Sequence, residues 1–133
     1  MPTSGAAREE RPDMGLPAAR RLRATALFAE AYDQNRCHRG RHMLLWLRSG
    51  PGAALRLGVV TSRKVGDAVE RNRARRRMRE IFRQHRAGLR GEVDVVLIAR
   101  ASLPAAPWDE VVQDFLKLAE RAGLLAGGTG QGT

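Results

Sequence analysis

Between Arg63 and Arg90 the chain carries eleven Lys or Arg against three acids, Asp67, Glu70 and Glu80. Any fold must therefore place a local net charge of +8 within about a fifth of its length. Asp67 followed three positions later by Glu70 resembles a capping box, with Asp in the Ser/Thr position. A helix is predicted from Ala68 to about Arg86, with Gly88 near its end. At about 100° per residue, Ala74, Met78, Ile81 and Phe82 fall on one stripe, which must be the buried face. Asn72, Arg75, Arg76, Arg79, Arg83 and Arg86 share another sector, and Arg73 and Arg77 flank the remaining side. One face packs, and the others present guanidinium groups.

A charged helix face is usually just solvated. Solvated helices, however, mix signs at i, i+4, whereas these arginines repel one another. Arg rather than Lys favours planar, bidentate contact with phosphate. Net charge over the whole chain is +10, and self-repulsion on that scale opposes compaction unless a polyanion neutralises it. Nucleic acid and an anionic membrane are the candidates. The membrane fits less well, because the apolar stripe is needed for the protein's own core. No run of about 18 apolar residues is present to span a bilayer. The opening residues MPTSGAAREERPDMG lack the apolar centre of a secretory signal. A lone Cys37 excludes an internal disulfide and suits a reducing cytoplasm. The chain is expected to be cytoplasmic, with no membrane partner.

The remaining pattern describes one α+β domain with a mixed sheet. Residues 1–15 read as a flexible extension and 123–133 as a Gly-rich flexible tail. Thr25 is read as capping a helix to about Gln34, on which Phe28 and Tyr32, at i, i+4, share a face. The apolar run His42–Arg48 and the later run Leu55–Ser62, separated by Ser49-Gly-Pro-Gly52, read as a hairpin. Glu92–Ala99 reads as a strand buried on both faces over Val95–Ala99. A final amphipathic helix is predicted over Trp108–Ala122, with Val111, Val112, Phe115, Leu116 and Leu118 inward and Gly123 as its stop. A strand–helix–strand segment permits parallel pairing, and the general rule makes such crossovers right-handed.

A second cationic patch is expected where Arg20, Arg21 and Arg23 precede Phe28 and Tyr32. Aromatics beside cations can stack and hold a single-stranded nucleic acid. Phe28, Tyr32 and Trp46 serve equally well as core or core-edge residues.

The stretch Ser62-Arg-Lys-Val-Gly-Asp-Ala-Val-Glu-Arg-Asn-Arg-Ala-Arg-Arg-Arg-Met-Arg-Glu80 resembles the signature of the ribonuclease P protein family. That signature runs Lys/Arg-Lys-Val-Gly-Asn-Ala-Val, then Arg-Asn-Arg, further basic residues and Arg-Glu. Arg20–Arg23 with Phe28 and Tyr32, the strand Leu55–Ser62 and the strand Val93–Arg100 are similar to the family's flanking segments. The likeness covers roughly residues 16–122.

The resemblance implies a single α-β-β-β-α-β-α domain over 16–122, with Arg36–Arg39 as a short first strand, a mixed four-stranded sheet and a left-handed crossover. It implies that Arg71, Asn72, Arg73, Arg75, Arg76 and Arg79 contact a catalytic RNA subunit. Phe28, Tyr32, Trp46, Ser62, Arg63 and Lys64 would line or border a cleft for the 5′ leader of precursor tRNA, with Arg20, Arg21 and Arg23 as auxiliary cations. Three positions depart from the pattern: Asp67 replaces Asn, Trp46 stands where Tyr is common, and Val60 where some members have Ser.

Catalytic residues are not expected in the protein. His38 and His42, at i, i+4 on a strand-like segment, would share a side about 13 Å apart. His85 continues the buried stripe, and Asp109 and Glu110 suit a helix N-terminus. No acid cluster or metal-ligand spacing appears. The resemblance implies that the RNA subunit, with its bound Mg²⁺, performs the phosphodiester hydrolysis. A ribosome-associated protein or RNA chaperone, and a self-sufficient protein nuclease, are the alternatives.

Overall fold

The computed structural model describes residues 20–125. The extension expected over 1–15 and the stretch from Ala126 lie outside the described residues. Seven elements follow one another: α1 (Thr25–Gln34), β1 (Cys37–Arg39), β2 (Met43–Ser49), β3 (Leu57–Val60), α2 (Ala68–His85), β4 (Val93–Ala99) and α3 (Trp108–Arg121). The strands form one mixed sheet in the order β1-β2-β4-β3, antiparallel except for the β3–β4 pair. The predicted α+β class and the short first strand are both present.

The hairpin expected from the two apolar runs does not form. β2 and β3 are consecutive in the chain, but β4 lies between them. The reason is the composition of β4, where Asp94, Val95, Val96, Leu97 and Ala99 are all buried. A strand that is buried on both faces belongs in the middle of a sheet. Asp94 sets its place further. Arg48 of β2 is the cross-strand partner of Asp94 and donates Nη1 to its Oδ2 at 2.8 Å. From the other side Arg56, just before β3, donates Nε to Oδ1 at 3.0 Å and Nη2 to Oδ2 at 2.8 Å. The backbone N–H groups of Ala54 and Arg56 add further donors to Oδ1.

Two cores flank the sheet. Met43, Leu45 and Leu47 of β2 with Val95 and Leu97 of β4 pack against Ala74, Met78, Ile81 and Phe82 of α2 and Val111, Phe115 and Leu118 of α3. The buried stripe predicted on α2 is therefore correct at all four positions. On the other face Leu22, Ala31 and Val96 are buried with Leu27, Phe28, Trp46, Val60 and Ile98 packed on them. Glu30 of α1 accepts from Arg48 Nε at 2.8 Å, which ties α1 to the charged row beneath it.

Local signals differ in small ways. Thr25 is the first helical residue, not the cap; the N-cap is Ala24, which has no side-chain bond to offer. Asp67 does cap α2, accepting from Glu70 N at 3.0 Å. On α3, Val112 and Leu116 are half-buried while Asp114 is buried. Its carboxylate accepts from the backbone N–H of Arg41 and His42 at 2.7 and 2.8 Å. Leu124, at the start of the expected tail, is buried, and Leu125 bridges to Leu89.

Burial pushes the Asp94 carboxyl up, but the bonds from Arg56, from the Ala54 and Arg56 backbone and from Arg48 outweigh it and hold the carboxyl below the ordinary range. Its stabilisation is thus complete above the unfolded value of about 3.9 and is lost as pH falls through the lower folded value. Asp94→Ala would leave Arg48, 2% exposed, without its buried counter-ion and with only the partly exposed Glu30 carboxylate to balance its charge. Urea unfolding at neutral pH should show a loss of about 3–5 kcal/mol. The variant should also lose less stability than the parent when the titration is carried below pH ~4.

Candidate nucleic-acid interface

The arginines of α2 divide into two sets. Arg73 and Arg76 are exposed and, among the described residues, have no ion-pair partner. Asn72 is exposed beside them, while Arg71 and Arg79 are half-exposed. Other arginines reach back onto the protein. Arg71 donates to Gly66 O at 2.8 Å; Gly66 sits at φ +139°, and a Cβ there would lie 2.9 Å from Glu70 Cβ, so the tight turn into the helix requires glycine. Arg77 donates to Leu103 O and Ala106 O at 3.1 and 2.7 Å and stacks over Trp108 at 5.6 Å. Arg83 pairs with Glu80 at 2.6 Å. Arg86, expected on the outward sector, turns to Leu55 O and Ala54 O at 3.4 and 3.3 Å.

Arg75 joins this helix to a groove. Its guanidinium donates to Thr61 Oγ1 at 2.7 Å, at the end of β3, and to the side chain of Asn72. The groove, about 410 Å³, is lined by Arg23, Thr25, Phe28, Tyr32, Val59, Val60, Thr61 and Arg75. Phe28 and Tyr32 thus share it, as their i, i+4 spacing predicts. Phe28 lies across β3 because residue 58 is glycine; a Cβ there would be 2.5 Å from Phe28 Cζ. Tyr32 meets Trp46 edge-to-face at 5.1 Å, so Trp46 stands behind the groove wall and supports the tyrosine. Burial pushes the Tyr32 hydroxyl up from its ordinary value.

Ser62, Arg63 and Lys64 are exposed in the turn that follows Thr61. Ser62 Oγ accepts from Lys64 N there, at 3.3 Å. Of the auxiliary cations, Arg23 lines the groove. Arg21 forms a parallel bridge to Leu57, and Leu22 N donates to Leu57 O at 2.8 Å, so this segment lies along the outer edge of β3. Arg20 lies close enough to Arg86 to help depress its pKa, after burial.

The groove-lining role of Arg75 and Thr61 was not visible in the residue pattern. Their meeting depends on β3 ending against the first turns of α2, and no local periodicity encodes that. The Asp67 cap and the Gly66 turn were the available signals.

The histidines are placed otherwise than the strand reading supposed. A turn at 40–42 separates His38, in β1, from His42. His42 is buried, with Nδ1 2.7 Å from Ser102 Oγ and Nε2 3.1 Å from Glu110 Oε1. His85 bonds Ile81 O through Nδ1 at 2.9 Å and packs on Phe115. Among the described residues no group of three His, Cys, Asp or Glu is disposed to hold a metal. No helix among the described residues is long and apolar enough to cross a membrane.

Fold and surface together define a small α+β domain that sets an arginine-rich helix beside an aromatic groove. The Ribonuclease P family model matches residues 16–123. The ribonuclease P protein component of Desulfovibrio desulfuricans is 37% identical over 110 residues, covering 80% of this chain and 85% of that protein. That of Symbiobacterium thermophilum is 38% identical over 111 residues, covering 83% and 96%. The ribonuclease P protein of Thermotoga maritima superposes with a TM-score of 0.68 at 28% identity, over 76% of this chain and 96% of that one. The chain belongs to the ribonuclease P protein family, and its role is in ribonuclease P.

The division of arginines has a measurable consequence. Arg77→Ala removes a half-buried donor from two carbonyls and should lower stability by about 1–3 kcal/mol. Arg76→Ala should stay within about 0.5 kcal/mol of the parent. Parallel urea unfolding of the two variants checks this.

Proposed function

We propose that this chain is the protein subunit of the ribonuclease P ribonucleoprotein, binding the catalytic RNA and the 5′ leader of precursor tRNA. On this reading the subunit promotes endonucleolytic 5′ maturation of tRNA in the cytoplasm. The exposed arginine face of α2, with Asn72, Arg73 and Arg76 outermost and Arg71 and Arg79 beside them, meets the catalytic RNA. The groove holds the leader: Phe28 and Tyr32 offer stacking surfaces, Trp46 backs Tyr32, and Arg23, Arg75 and the Ser62–Lys64 turn supply donors to phosphate. Hydrolysis belongs to the RNA, which holds the Mg²⁺. The protein lowers repulsion between two polyanions and raises affinity for the substrate.

One observation carries this reading. An aromatic pair one helical turn apart lines a groove whose far wall, Arg75, belongs to the cationic helix. Base stacking with adjacent phosphate contacts is how single strands are held without sequence reading. The two surfaces are contiguous, so one protein can bridge an RNA scaffold and a single strand.

Tyr32→Ala should weaken binding of precursor tRNA by about 1–3 kcal/mol and leave mature tRNA, which lacks the leader, nearly unaffected. The ratio of the two affinities in the reconstituted enzyme is the readout; a parallel fall in both would withdraw the groove assignment. Phe28→Ala is a poorer probe, since its packing on Gly58 adds a folding cost of about 3–5 kcal/mol.

For the helix, Arg73→Ala with Arg76→Ala should weaken assembly with the catalytic RNA and leave thermal unfolding unchanged. The slope of log affinity against log salt should become shallower by roughly 0.9 per lost phosphate contact. An unchanged slope with lowered stability would make the arginines structural.

A further inference from the structure

The sheet carries a second concentration of cations, on the edge farthest from α2. Around the three residues of β1 stand Arg36, Arg39, Arg41, Arg100 and Arg121, all exposed. Of the acids beside them, Asp114 and Glu110 are engaged with the 41–42 turn. Asp114 accepts from the backbone of Arg41 and His42, and Glu110 lies 3.1 Å from His42 and 3.6 Å from Arg41. Among the described residues, Arg39 and Arg100 have no ion-pair partner.

The strand register shows where these two point. Residues directly opposite on neighbouring strands share a face. Arg39 is opposite Leu44, Leu44 opposite Ile98, and Ile98 opposite Val60. Val60 lines the aromatic groove, and Val60 and Ile98 pack in the cluster that contains Phe28. Arg39 therefore stands on the groove's own face of the sheet, at the opposite edge. Three strand spacings of about 4.8 Å separate it from Val60, roughly 14 Å in all. Leu44, Ile98 and Val60 between them are only half-buried. Ala99 and its partner Met43 pack in the other core, so by strand alternation Arg100, whose N–H bonds His42 O, turns to the same face as Arg39.

We propose that the β1 edge is the far end of the leader-binding surface. A single RNA strand leaving the groove crosses the sheet over Val60, Ile98 and Leu44, and its backbone phosphates reach Arg39 and Arg100. This rests on the assignment of the groove to the leader. A single strand suits the surface better than a duplex, because the row is a narrow apolar floor with cations at its end. Bases can lie on such a floor while phosphates meet the arginines. Arginines can also guard an edge strand against pairing with another chain, and the test separates the two roles.

The experiment uses the reconstituted enzyme and precursor tRNAs with a minimal leader, a long single-stranded leader, or none. The protein is the parent, Arg39→Gln, Arg39→Glu or Arg100→Gln, each checked for folding by circular dichroism. The parent should gain affinity as the leader lengthens. Arg39→Gln should bind the long-leader substrate about three- to tenfold more weakly, with a shallower salt dependence, and bind the minimal-leader substrate and mature tRNA as the parent does. Arg39→Glu should lose more, and Arg100→Gln should behave as Arg39→Gln does. Variants that match the parent at every leader length overturn the proposal and leave the groove assignment standing. Equal losses for all three RNAs also overturn it, assigning the edge to the tRNA body or the catalytic RNA. Self-association of the variants with unchanged RNA affinity shows edge protection alone and overturns it too. If the parent itself is indifferent to the leader, the groove assignment fails first and this proposal falls with it.

Discussion

The buried carboxylate of Asp94 organises the molecule. It stands near the start of β4, is fully buried, and accepts from Arg48 on β2, from Arg56 just before β3 and from two backbone N–H groups. A charge in that position is tolerable only when its lone pairs are filled, and removing one partner leaves another ion stranded. The arrangement also acts as a register mark. Arg48 and Arg56 can both meet Asp94 only if β4 lies between β2 and β3, in the pairing observed. A slip by one residue would bury a charge against the opposite, apolar core.

The same row positions the groove. Arg48 turns its Nε to Glu30, so α1 is docked on the sheet through the ion network as well as through Phe28 and Ala31. Gly58 then lets Phe28 lie close against β3, and the space left between Tyr32 and the end of β3 is the groove. A hydrophobic contact alone would permit α1 to slide along the sheet. The directed bond to Glu30 restricts that motion and holds the aromatic pair opposite Arg75.

Arginine has two roles in this protein, and geometry separates them. On α2 the guanidinium groups nearest the sheet and the 103–106 turn bond carbonyl oxygens, because a planar group with five donors can satisfy several acceptors at a chain reversal. Those pointing away, at Arg73 and Arg76, have no such acceptors and remain available to an anionic partner. Part of the high net charge is thus taken up within the protein, where it stabilises turns.

Much of this was readable along the chain. The apolar stripe of α2, its Asp67 cap, the doubly buried β4 and the shared face of Phe28 and Tyr32 are all local consequences of spacing. Each depends only on residues within a few turns or strand positions of one another. The motif from Ser62 to Glu80 was likewise enough to point to the family. What the spacing could not supply was the order of strands, the return of Arg77 and Arg86 to the protein, the burial of Asp114 and His42, or the joining of Arg75 to the groove. These unite residues such as His42 and Asp114, or Arg48 and Asp94, that are distant in sequence. The hairpin reading failed for the same reason: consecutive strands usually pair, but a later strand buried on both faces, and carrying the one acid that two arginines require, displaces that pairing. Local periodicity determined which face of each element is apolar. Only the tertiary structure decided which faces meet, because that choice is made by long-range partners for buried charge.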